Sequence, residues 1–161
     1  MTMRSTFLLA VGIIIGAGAQ SALGQRNDVT GLNHVAIAVE NFDAASKFYK
    51  DGMGFPEAFS FREPDGKPTL SYFQINRNTF IELMPVTPER PAGFVHFGLE
   101  VSDIDAAVSR LRSAGMTVRD PIVSSRTKSR VAVATTPQGT GVELLEFGPD
   151  SLHRKVMNDW K

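Results

Sequence analysis

His34-Val35-Ala36-Ile37-Ala38-Val39 and, 62 residues further on, His96-Phe97-Gly98-Leu99-Glu100-Val101 are two versions of one strand. Each opens on a histidine and alternates bulky with small or polar residues. The same offset carries Asp43-Ala44-Ala45 onto Asp105-Ala106-Ala107, so the chain contains a duplicated unit. Side chains of a strand alternate between its two faces. Val35, Ile37 and Val39 therefore share one face, and His34, Ala36 and Ala38 the other. In the second copy Phe97, Leu99 and Val101 oppose His96, Gly98 and Glu100. The bulky faces belong against helices, and the small faces leave room in front of them.

Working outward, each strand runs into a capping turn, Asn41-Phe42-Asp43 or Asp103-Ile104-Asp105. Phe42, Ala45, Phe48 and Tyr49, and then Ile104, Ala107, Val108 and Leu111, form apolar stripes at helical spacing. Glycines end both helices, at Gly52/Gly54 and at Gly115. Three strand-like runs follow each helix: 55–61, 69–75 and 79–84, then 116–122, 130–135 and 141–147. Pro64-Asp65-Gly66, Asn76-Arg77-Asn78 and Pro137-Gln138-Gly139 mark turns between them. The reading is an α+β fold of two paired β-α-β-β-β modules, forming a concave mixed sheet with helices on the outer faces. Module one spans 30–85, a proline-rich linker 86–93, module two 94–147 and a helical tail 148–161, all within a single domain 25–161. One module alone buries too little to be stable, which argues for the pairing.

The tail reads as a short helix capped by Asp150 or Ser151, with Leu152, Val156 and Trp160 as its packing stripe. His153 lies off that stripe and is expected to be exposed. The tail docks on its own domain or on a partner subunit.

The last strand of each module adds an acid. Glu82 opposes Ile81 and Leu83, and Glu143 opposes Val142 and Leu144. A carboxylate in an apolar strand is costly to bury unless it is paired or metal-bound. His34, Glu82, His96 and Glu143 thus form a duplicated His…Glu pattern on the inner face. Such a set suits one divalent ion, Zn, Ni, Co, Mn or Fe. The chain has no cysteine, which excludes disulfides, thiolate zinc sites and cysteine nucleophiles.

Among 161 residues, 17 Lys+Arg balance 17 Asp+Glu, so no basic excess points to nucleic acid. Residues 1–24 hold one charge, Arg4, and an apolar run from Phe7 to Ala19 that is too short to span a bilayer. With Ala22-Leu23-Gly24 before Gln25 this reads as a signal peptide. It predicts a periplasmic or secreted protein with no stable membrane anchor after processing.

Leu32-Asn33-His34-Val35-Ala36-Ile37-Ala38-Val39, followed by Phe48-Tyr49-Lys50, resembles the opening of a vicinal oxygen chelate module. Val95 to Val101 with Asp103-Ile104-Asp105 resembles a second opening, and Gly141-Val142-Glu143-Leu144 a closing metal strand. That superfamily includes glyoxalase I, methylmalonyl-CoA epimerase, extradiol dioxygenases, and fosfomycin and bleomycin resistance proteins. The resemblance implies a metal held by His34, Glu82, His96 and Glu143. Having Glu82 tilts the chain toward the four-ligand branch of glyoxalase I and the epimerases. The implied function is an exported metal-dependent enzyme with glyoxalase-I-like lyase or isomerase chemistry on a small oxygen-chelating substrate. Glu143 is the first choice as proton carrier and Glu82 the second. The alternatives are an extradiol-type dioxygenase and a non-catalytic binding or resistance protein. The short linker lacks the additional helix of epimerases, which weighs against a CoA ester. Arg62, Arg126 and Arg130, with Lys128, are candidates to hold an anionic substrate group, and Tyr72, Gln74 and Glu100 to line the cavity. Whether one chain forms the site or two chains of a homodimer share it stays open.

Overall fold

The computed structural model describes residues 28–161; the proposed leader 1–24 and the start at Gln25 lie outside them. The chain runs β1 (Val29–Val39), α1 (Phe42–Lys47) with a π-helical turn (Phe48–Gly52), β2 (Glu57–Arg62), β3 (Pro68–Asn76) and β4 (Thr79–Pro85). It continues with β5 (Gly93–Val101), α2 (Ile104–Ser113), β6 (Ile122–Val123), β7 (Arg130–Thr135), β8 (Gly141–Glu146) and α3 (Leu152–Asp159). Both modules follow the expected order. The Asn41 and Asp103 side chains cap their helices by accepting from the Ala44 and Ala106 amides. Gly115 closes α2 at φ 83°, a left-handed conformation that suits glycine.

All eight strands form one sheet in the order β2-β3-β4-β1-β5-β8-β7-β6. Within each module the first strand lies parallel to the last, and the two modules join through the antiparallel pair β1 and β5. The pairing is therefore made inside one chain. Helices cover the outer faces as anticipated. Phe42, Phe73 and Leu83 form a core with Ile37, Val39 and Tyr49 in module one. Val101, Ile104, Ala107, Val108 and Leu144 form its counterpart in module two.

Two expectations change. The run 116–122 is not a strand; Val118 makes an isolated bridge to Ala134, and pairing resumes only at Ile122–Val123. Pro121 interrupts the run by withholding a ladder donor. The second change concerns the tail. Ser151 caps α3, which docks across the inner face of its own sheet, where Met157 joins Leu70, Tyr72, Phe80, Leu145 and Phe147 in a third core. His153 is 0% exposed, not on the surface. Its helix turns His153 and Met157 inward, and these sit one residue round from the anticipated stripe. Arg77 donates to the Met157 and Trp160 carbonyls, and Arg154 pairs with Glu100 at 3.0 Å. Among the described residues, no helix is long and apolar enough to cross a membrane.

Candidate metal centre

The sheet register brings the duplicated His…Glu pattern together. Across β4, β1 and β5, Glu82 stands beside Ala36, and Ala36 beside His96. Across β1, β5 and β8, His34 stands beside Gly98, and Gly98 beside Glu143. Each row is an acid and an imidazole with a small residue between them. The two rows are related by the duplication, so the four side chains converge over the β1–β5 seam.

The distances are short. His34 Nε2 lies 3.0 Å from His96 Nε2. Glu82 Oε2 lies 3.1 Å from His34 Nε2 and 3.4 Å from His96 Nε2. Glu143 Oε2 is 3.7 Å from both. Ligand atoms of His34, His96 and Glu143 all lie within 4.8 Å of one another.

The protonation pattern tests whether an ion fits. Asn33 donates through Nδ2 to the Asn78 carbonyl, which turns its Oδ1 toward His34 Nδ1 at 3.0 Å. His34 Nδ1 therefore carries the proton, and the Nε2 lone pair faces the centre. There it meets a second imidazole nitrogen and two carboxylates. One proton satisfies one of these contacts, whereas a divalent cation satisfies all of them. Glu82 Oε2 is sealed from solvent with no hydrogen bond made to it. Neighbouring ligand atoms around an ion bonded at about 2.1 Å lie roughly 3.0–3.4 Å apart. His34, His96 and Glu143 fit one divalent ion, and Asn33 supplies the orienting hydrogen bond that metal-bound imidazoles usually have.

Electrostatics separate the four groups: burial opposes charge on His96, but Glu82 and Glu143 outweigh it and raise His96 above its ordinary value. Burial pushes His34 down to about 4, against the pull of Glu82 and with the help of His96, so its imidazole is neutral, as a ligand must be. Burial also opposes charge on Glu82, but His96, His34 and the Tyr72 hydroxyl outweigh it and hold the carboxyl below its ordinary value. Burial raises Glu143, and Glu82 adds to the rise while His96 works against it. The Glu82 side chain is 5% exposed and that of Glu143 26%. Glu82 is thus a sealed group and Glu143 an accessible one.

Both acids line a cavity of about 410 Å³, together with Tyr72, Arg126 and His153. Of the candidate anion-holding arginines, Arg126 belongs to this wall, with its guanidinium 5.7 Å over the Phe61 ring. Arg62 and Arg130 do not line it. Arg62 donates to the Gly66 carbonyl in its own turn. Arg130 is engaged by Asp105 and Glu146 beside α2. Lys128 occupies the loop before β7 with φ 59°. Gln74 donates to the Arg77 carbonyl outside the cavity, and Glu100 is taken by Arg154.

Gly98 was legible only as a small residue, and its role lies in a close approach. A Cβ there would overlap the His34 ring and Leu145. Gly98→Ala is therefore expected to displace His34, abolish stoichiometric metal binding and cost about 1–3 kcal/mol of stability. Metal analysis and thermal unfolding of the purified variant check this; a variant that keeps both would show that the ring relaxes without loss.

The model of the Glyoxalase/Bleomycin resistance protein/Dioxygenase superfamily matches residues 31–144. The chain is 31% identical over 125 residues to the uncharacterized protein YaeR of Escherichia coli (strain K12), spanning 71% of this chain and 95% of that one. It is 38% identical over 98 residues to the ethylmalonyl-CoA/methylmalonyl-CoA epimerase of Cereibacter sphaeroides, 54% of this chain and 72% of that one. The crystal structure of methylmalonyl-CoA epimerase from Mycobacterium tuberculosis superposes with a TM-score of 0.64 at 28% identity, covering 77% of this chain and 92% of that one. The methylmalonyl-CoA epimerases of Homo sapiens and Mus musculus, both mitochondrial, match at 28% and 32% identity. This finding overturns the periplasmic or secreted location.

Proposed function

This chain belongs to the Glyoxalase/Bleomycin resistance protein/Dioxygenase superfamily, and from that premise we propose that it is a metal-dependent isomerase of the epimerase type. The substrate class we infer is a 2-carboxyacyl thioester, whose carboxylate and thioester carbonyl offer two oxygens to one ion. The relatives whose names specify ethylmalonyl-CoA or methylmalonyl-CoA support that class. The observation that carries the reading is the pair of carboxylates, Glu143 and Glu82, set around two imidazoles in the wall of one cavity.

When bound, the ion supplies Lewis acidity for the charge that develops on the substrate oxygens. His34, His96 and Glu143 would hold it, with Glu82 as the fourth group. Glu143, the accessible acid, takes the α-proton from the carbon between the two carbonyl groups. That carbon becomes planar, and a proton returned to its opposite face inverts it. Glu82 is the second carboxylate that can deliver this proton. No bond other than C–H breaks, so substrate and product have the same atoms. Arg126 at the cavity wall holds an anionic substituent. The same first step would serve a lyase of the glyoxalase I kind, and the epimerase relatives favour isomerisation.

Incubating the metal-loaded protein with a 2-methylmalonyl thioester in D₂O without air tests this. Deuterium is expected at the α-carbon, with no oxygen consumed in a parallel aerobic run. Failure of α-exchange would reject the isomerase. Fe²⁺-dependent oxygen uptake with a catechol would replace it with the dioxygenase.

A further inference from the structure

His153 and Tyr72 connect the tail helix to the metal centre. Tyr72 stands between two imidazoles. Its ring is 5.6 Å from that of His34 at 88°, and 4.8 Å from that of His153 at 85°. Tyr72 is the neighbour of Glu82 across the β3–β4 pair, and its hydroxyl helps to hold the Glu82 carboxyl below its ordinary value. His153 is held tightly in turn. It stacks on Phe147 at 4.8 Å and meets Phe59 and Phe80 edge-on at 5.0 and 5.5 Å. Ser129 Oγ, itself buried, lies 3.3 Å from its Nδ1 and pins the rotation of the ring. Its Nε2 is sealed and meets no hydrogen-bond partner among the described residues. A buried polar atom left unpaired lowers stability and calls for an explanation. A leucine or phenylalanine would fill this core without that penalty. α3 also lies outside residues 31–144, the part matched by the superfamily model.

We propose that His153 is a positioning residue for the metal centre, acting through the Tyr72 hydroxyl on Glu82. The pinned imidazole fixes the Tyr72 ring, and that ring sets where the hydroxyl holds the Glu82 carboxyl. Outer groups of this kind typically change metal affinity by 10–100-fold. The inference rests on Glu82 belonging to the metal centre; it does not depend on the substrate.

A double-mutant cycle on metal affinity tests it, using Co²⁺ alone as the probe. Calorimetry gives affinity, and the Co²⁺ absorption spectrum reports the ligand field. His153→Ala and Tyr72→Phe are each expected to weaken Co²⁺ about tenfold and to shift the spectrum in the same direction. The double variant is expected to bind no more weakly than the weaker single one, because both changes remove one linkage. If His153→Ala does not fold, His153→Leu replaces it, filling the core without an imidazole edge. Losses that multiply in the double variant would overturn the proposal. So would a His153 variant that melts earlier yet binds Co²⁺ unchanged, since that is a packing role only. If Tyr72→Phe and Glu82→Ala both leave Co²⁺ affinity unchanged, Glu82 lies outside the metal centre and the inference falls with that assignment. Loss of α-exchange in the wild type with the cycle intact would reject the isomerase alone.

Discussion

Glu143→Gln is expected to lower turnover by about 10³-fold, within the range that a positioned general base contributes. The bound metal should remain within a factor of about two of stoichiometric, since the substitution alters a ligand without removing its oxygen. The amide keeps an oxygen for the ion but has no lone-pair site basic enough to take a proton. Glu143 is the sharper test of the two acids because its side chain is 26% exposed in the cavity wall, whereas that of Glu82 is 5% exposed. Single-turnover α-proton exchange, measured beside metal content, separates the roles. If turnover and metal fell together, Glu143 would be a ligand only, and the proton would belong to another group.

His96→Ala is expected to weaken divalent-metal binding by more than about 10²-fold, beyond what an outer-shell change does. His96 Nε2 is within 3.0 Å of His34 Nε2 and 3.4 Å of Glu82, so its loss opens one side of the centre. The remaining His34 lone pair and the two acids would be left with an incomplete shell. Calorimetric titration of the apo-protein with Zn²⁺ checks it. Equal affinity in wild type and in the His34→Ala/His96→Ala double variant would exclude this centre altogether. Val108→Ala is the appropriate control for general loosening, because Val108 is buried in the separate core of module two and offers no ligand atom.

The period-two alternation in β1 and β5 made the inner face readable, and with it His34 and His96. Glu82 and Glu143 followed for the same reason, since a lone acid among Ile, Leu and Val can take only one face. Alternation says nothing about solvent, so the two acids were indistinguishable until packing buried one of them. Gly98 was visible as small but not as necessary, because the overlap it avoids involves a ring from a different strand. Asn33 has no periodic signature at all; its role exists only once the Asn78 carbonyl is beside it. His153 was misread because α3 carries two overlapping apolar pairs, and the helix alone does not say which one faces the sheet. Arg62 and Arg130 were placed by their proximity to turns. Their donors were already engaged by a turn carbonyl and by Asp105 and Glu146, contacts set by the third dimension.

The β1–β5 seam puts one imidazole on each half of the chain. An ion held by both ties the halves together, as a rivet does two plates. Opening the seam must release the ion, so metal binding adds directly to the cohesion of the two halves. At free metal about a hundredfold above its dissociation constant, that contribution is roughly 2.7 kcal/mol. Metal supply then governs the lifetime of the folded chain as well as its chemistry. Starvation for the ion would weaken the β1–β5 seam, and any opening of it would leave each strand an edge suited to pair with another copy.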